Sequence, residues 1–128
     1  MKELIYVFLG GGAGSVCRFF ASMYWKHLAL DPRFSDMHFP WPTFIVNVIG
    51  CLMISLFYQF SEKWGITPEM RLLLTTGFCG GFTTFSTFSY EGMTLIRSGF
   101  YSTYALYLLG SIFLGLIAAF LPTLFSQS

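Results

Sequence analysis

Four long apolar stretches run along the chain, at about 4–24, 42–60, 70–96 and 103–125, separated by short polar pieces. Each is long enough to cross a hydrocarbon core of ~30 Å at ~1.5 Å per helical residue. The first separator, 25–41, holds Asp31, Pro32, Arg33 and Asp36 and is a true loop. The second is 61–69, and the third only 97–102. Trp25, Trp41 and Trp64 fall at the expected span ends, where indole rings favour the membrane interface. The first stretch reads as a retained helix, because Arg18 interrupts it and no small-x-small cleavage site closes it. Backbone in lipid must satisfy its own hydrogen bonds, so spans of this length are expected to be α-helices. The expectation is an all-α integral membrane protein: one domain over 1–128, with four transmembrane helices.

Composition strengthens that picture and removes others. Of 128 residues, 55% are hydrophobic and only 10% are charged, too few to cover a soluble domain. A disordered chain and a nucleic-acid binder are excluded on the same ground. Net charge is +1. The distribution of that charge matters more than its sum. With four crossings, Lys2, Lys63 and Arg71 share one side, and Lys26, Arg33 and Arg97 share the other. The positive-inside bias is therefore nil. Such a chain can insert both ways round, and inverted copies can pair as an antiparallel homodimer. A single, weakly biased topology is the other reading. Cys17, Cys51 and Cys79 lie far apart in apolar stretches and read as small buried hydrophobes. His27 and His38 share one polar loop and suggest no metal or catalytic role.

Polar residues inside spans are the functional pointers. Gly10, Gly11, Gly12 and Gly14 let helix backbones approach closely. Arg18, one turn beyond, lies too deep to be a loop charge. It can snorkel, bind backbone carbonyls or draw an anion inward. Thr43 and Asn47 are four apart and share a helix face. The Asn47 amide suits interhelical hydrogen bonding, and its NH₂ also suits a small anion. The stretch 75–90 combines Gly77, Gly80 and Gly81 with a run of Thr and Ser, and propagates a helix poorly. A break there frees carbonyls for a small cation, or N–H groups and hydroxyls for an anion. A mere kink is the alternative. Phe85 and Phe88 are spaced i, i+3, and ring edges carry positive quadrupole. Tyr107 and Ser111, four apart, form a hydroxyl track on the fourth span. Glu91 is expected to pair with a backbone donor or with Arg97.

Taken together, these residues resemble the Fluc/CrcB family of fluoride channels over nearly the whole chain. Gly11 to Arg18 resembles the family's GGxxGxxxR pattern, and Thr43 to Gly50 its second-helix motif with a pore Asn. The stretch from Gly77 to Phe88 is similar to its GFxGGxTTFSTF signature, a long and specific string. The resemblance implies an antiparallel, dual-topology homodimer of four-helix subunits in the cytoplasmic membrane, conducting F⁻ passively. It implies that Phe85 and Phe88 line the fluoride path with Asn47 beside them. Ser86 and Thr87 would lie at the break, Thr87 being the better placed for the pore. Thr43 would belong to the same path, and Tyr107 and Ser111 to the fourth-helix polar track, which Gly115 shortens. The carbonyls of Gly80 and Thr83, from both subunits, would hold a central structural Na⁺. Phe19 stands where the family often has Tyr. The loop from Asp31 to Pro40 is longer than usual and receives no function. A small multidrug-resistance-type antiporter is the alternative, but it needs a first-span carboxylate, and only Glu3 is there. A bare membrane scaffold leaves the central hydroxyls and Asn47 unexplained. An enzyme finds no nucleophile–base or paired-carboxylate set within the spans.

Overall fold

The computed structural model describes residues 1–28 and 39–126. Residues 29–38, which take in most of the long Asp31–Pro40 stretch, lie outside the described residues. All of the described secondary-structure elements are helical. Helix α1 is Lys2–Leu28 and α2 is Trp41–Trp64. There follow α3, Pro68–Leu72, a π-helical segment, Leu73–Cys79, and a single turn, α4, Gly80–Phe82. The chain ends in α5, Ser86–Arg97, and α6, Tyr101–Ser126.

Among the described residues, three helices are long and apolar enough to cross a membrane: Lys2–Trp25, Trp41–Trp64 and Tyr101–Leu124. They match the first, second and fourth apolar stretches. The third stretch was expected as a span over 70–96. It is instead a bent run of short helical pieces from Pro68 to Arg97, none of which is long enough alone.

Local chemistry explains the boundaries. Pro42 opens α2 at a position where no N–H is needed. Gly65 ends it with φ 65°, a left-handed conformation that a side chain would strain. Thr67 caps α3, its hydroxyl accepting the Met70 N–H at 3.2 Å. The Thr75 hydroxyl then donates to the Arg71 carbonyl at 2.7 Å, a back-bond that loosens the helical ladder where the π segment runs.

Cross-chain approaches fix the packing directions. Gly10 lies against Leu73 and Phe78, and Gly14 against Phe78 and Phe82, so α1 runs parallel to the third stretch. A Cβ at Gly14 would sit 2.8 Å from the Phe82 nitrogen, so the glycines are what permit backbone-on-backbone contact. Helix α2 runs parallel to α6: Phe44 meets Gly110, Cys51 meets Gly115, and the Ser55 hydroxyl donates to the Ala119 carbonyl at 2.7 Å. Asn47 meets Thr84 while Gly50 meets Thr83, so α2 and the third stretch are antiparallel. Directions therefore alternate along the chain. Phe44, Leu95 and Tyr107 form the buried centre of one end, with Phe39, Trp41 and Phe88 packed on it.

Candidate functional site

The third stretch breaks between α4 and α5. Thr83 is extended, with φ −84° and ψ 162°. Its own N–H and hydroxyl both turn back to the Cys79 carbonyl, at 3.0 and 2.9 Å. The next residue leaves the ladder altogether. The Thr84 N–H donates to Asn47 Oδ1 at 2.8 Å, and Asn47 Nδ2 donates to the Thr84 carbonyl at 3.1 Å. Asn47 thus clasps the break from α2 by both ends of its amide, leaving one amide hydrogen over. The Thr84 hydroxyl accepts the Thr87 N–H at 3.2 Å and so starts α5.

These bonds release carbonyls. In an unbroken helix the Thr84 and Thr87 N–H groups would go to the carbonyls of Gly80 and Thr83. Here both donors are spent elsewhere. Freed backbone oxygens are hard ligands and fit a small cation such as Na⁺. No group of three or more His, Cys, Asp or Glu side chains among the described residues could hold a metal instead.

Two cavities flank the break. The larger, about 620 Å³, brings together Asn47, Phe85, Phe88, Ser111, Gly80 and Thr83, and no charged residue lines it. The Phe85 and Phe88 rings stand 6.1 Å apart and are tilted by 37°. Phe85 is 79% exposed, so its ring projects out of the subunit. Ser111 Oγ is buried and finds no protein partner. The smaller cavity, about 210 Å³, gathers Arg18, Thr43 and Thr87 with Ser15 and Ser22. Arg18 Nε is buried there without a partner. Thr84 lines both cavities.

Ser86 and Tyr107 line neither. Ser86 is exposed and shares a 3.4 Å hydrogen bond with the Thr84 hydroxyl. Tyr107 is fully buried, and its hydroxyl donates to Glu91 Oε1 at 3.2 Å. Its ring lies 4.8 Å from that of Phe88. Glu91 therefore pairs across to α6 rather than with Arg97 or a backbone donor, because α5 turns it inward to that hydroxyl. The Glu91–Tyr107 link is the site feature that residue spacing did not reveal. The polar pair sits among aromatic rings, and only the crossing of α5 and α6 brings it together.

The family model described as CrcB-like protein, Camphor Resistance (CrcB), matches residues 5–123. The chain belongs to the CrcB family. Its relatives include three proteins named Fluoride-specific ion channel FluC. That of Bacteroides fragilis is 50% identical over 120 residues, covering 92% of this chain and 91% of its own. That of Phocaeicola vulgatus is 43% identical over 129 residues, covering 99% and 100%. That of Methylobacillus flagellatus is 45% identical over 123 residues, covering 94% and 91%. This CrcB-family chain is a multi-pass membrane protein, with its three long apolar helices and a fourth, bent helical run.

Proposed function

We propose that the chain is a fluoride-selective channel that lets F⁻ leave the cytoplasm passively across the cytoplasmic membrane. It works as an antiparallel, dual-topology homodimer with four crossings per subunit. The observation that carries this reading is the uncharged cavity at the helix break, where Asn47, Phe85, Phe88 and the unpartnered Ser111 hydroxyl converge. The relatives' common name supports the substrate. Alternating helix directions fit four crossings, and the even Lys/Arg count fits insertion both ways round. The outward Phe85 ring and the open face at Gly80 fit a second copy packed over the break.

In this reading F⁻ enters through the smaller chamber, where the Arg18 guanidinium attracts it and the Thr43 and Thr87 hydroxyls begin to replace its water. It then passes Thr84 to the larger cavity. The remaining Asn47 amide hydrogen, the Ser111 hydroxyl and the ring edges of Phe85 and Phe88 complete the replacement. Ser86 lies at the mouth of the break, and Tyr107 backs Phe88. The carbonyls of Gly80 and Thr83, from both subunits, would hold a structural Na⁺, which supplies fixed positive charge at the dimer centre. Neutral HF crosses membranes and dissociates inside. An inside-negative potential then drives the trapped F⁻ out with ~2.3 kcal/mol per charge per 100 mV. The antiporter reading is disfavoured. Its obligatory acid would have to be Glu3, which is exposed at the start of α1 and bonded to the N-terminal amine at 3.2 Å.

Fluoride efflux from liposomes holding the purified protein tests the proposal, with a K⁺ gradient and valinomycin setting the voltage. Fast F⁻ efflux without Cl⁻ efflux is expected. Equal passage of both ions, or neither, would refute a homomeric fluoride channel.

A further inference from the structure

We propose that Asn47 is a positioning residue for the cation site: its hold on Thr84 is what exposes the Gly80 and Thr83 carbonyls. This inference rests on the Na⁺ reading above and adds to it a cause within the chain. A helix carbonyl offers both its lone pairs to a cation when the N–H four residues on is bonded elsewhere. For Gly80 that N–H belongs to Thr84, and Asn47 Oδ1 takes it at 2.8 Å. For Thr83 it belongs to Thr87, and the Thr84 hydroxyl takes it at 3.2 Å. That hydroxyl is in place because Asn47 Nδ2 also holds the Thr84 carbonyl at 3.1 Å. Both releases therefore trace to one amide on α2.

Gly50, one turn along the same face of α2, completes the device. The Thr83 Cγ2 methyl occupies the space that a Cβ at Gly50 would fill, and the Phe82 ring follows at 3.7 Å. Thr83 seats against α2 only because that position is bare. Asn47 thus serves two masters, the anion cavity it lines and the carbonyls it frees. Its loss should remove cation binding as well as flux.

The test is thermal unfolding of the purified full-length protein in detergent at rising NaCl, with N-methylglucamine chloride holding ionic strength constant. The wild type is expected to be stabilised by Na⁺. Asn47→Leu lets the Thr84 N–H return to the Gly80 carbonyl, and should raise the half-maximal Na⁺ concentration by about tenfold or more, equivalent to about 1.4 kcal/mol. Asn47→Asp keeps an acceptor for the Thr84 N–H. It loses the Nδ2 donor to the Thr84 carbonyl, so it should keep the Gly80 release but weaken that of Thr83. A Na⁺ response between those of the wild type and Asn47→Leu, with fluoride efflux lost, is a split that a general packing defect would not produce. Thr84→Val frees the Thr87 N–H for the Thr83 carbonyl. It should weaken the Na⁺ response, and it decides the matter if Asn47→Leu does not fold. A wild-type Na⁺ response in Asn47→Leu or Thr84→Val overturns the inference alone. A Na⁺ response in Asn47→Asp no better than in Asn47→Leu overturns the role of Oδ1. A wild type indifferent to Na⁺ overturns the cation reading itself, and this inference with it.

Discussion

Tyr107→Phe removes one oxygen atom from the best-buried side chain among the described residues. The ring keeps its 4.8 Å approach to Phe88 and its 5.3 Å edge contact with Phe39. What goes is the 3.2 Å hydrogen bond to Glu91 Oε1. Glu91 is half-buried, and the Thr43 hydroxyl is its other close polar neighbour. Leaving a buried acceptor short of a donor costs about 1–3 kcal/mol, against about 1 kcal/mol for the net worth of a bond exchanged with water. The half-burial of Glu91 favours the lower part of that range, about 1–2 kcal/mol. A double-mutant cycle with Glu91→Ala isolates the pair, since each single change removes the same bond. The assay is reversible unfolding in detergent of the wild type, both single variants and the double variant. A coupling of about 1 kcal/mol is expected. A coupling near zero would refute the pair as an interaction holding α5 to α6. The same samples, reconstituted, should show reduced fluoride efflux, because Phe88 rides on α5 and leans on the Tyr107 ring.

Three further changes probe the cavity and its open face. Phe85→Ile removes a ring that is largely outside the subunit, so the subunit should fold normally while fluoride efflux drops at least tenfold. Unchanged efflux in the liposome assay would remove the ring from the path. Ser111→Ala deletes a buried hydroxyl with no protein partner. Its stability should hold or rise slightly, since an orphaned polar group is removed, yet efflux should fall. A variant equal to wild type in both measurements would leave that hydroxyl without a function. Gly80→Leu adds bulk where a Cβ meets nothing within the subunit. Light scattering should show a folded monomer in place of a dimer, and an intact dimer would place the partner elsewhere.

The three long apolar helices were legible because apolar runs need only be counted against membrane thickness. The third stretch was legible in kind but not in detail. Its glycines invite a break, yet Gly77 and Gly81 stay helical, because their bareness is used against α1: Gly77 lies 3.0 Å from the Gly10 Cα at its missing Cβ, and Gly81 packs on Gly11. The chain leaves the helix at Thr83 to Phe85 instead. There hydroxyls and an amide from another helix offer the backbone better partners than its own ladder does. Propensity sees the weak helix former, but it does not see Asn47 waiting 37 residues upstream. Asn47 itself, judged alone, suggested interhelical hydrogen bonding, and that is how its amide is used. Tyr107 and Ser111 read as one track because they share a helix face. The structure gives Ser111 to the larger cavity and aims the Tyr107 hydroxyl at Glu91, since α5 crosses α6 between them.

The division of charge between the two chambers follows from what a conductor must avoid. A full positive charge 4 Å from an anion is worth about 4 kcal/mol at an effective dielectric of about 20. At about 1.4 kcal/mol per factor of ten, that slows departure by roughly a thousandfold. A bare guanidinium is tolerable where ions are gathered, and ruinous where they must be dehydrated and released quickly. The proposed Na⁺ at Gly80 and Thr83 differs in being enclosed by carbonyl oxygens that offset its charge. Arg18 lies in the smaller chamber, while the larger is lined only by amide, hydroxyl, thiol, aliphatic and aromatic groups. Partial charges on an N–H, an O–H and two ring edges can each replace a water without exceeding what the water gave. Thr84 lines both chambers and is held at both backbone ends by Asn47, so in the proposed path it is the fixed boundary between capture and passage. A helix continuous through residue 84 would have neither wall nor free carbonyl. The one amide that interrupts the helix therefore makes the chamber boundary and frees the carbonyls of the proposed cation site together.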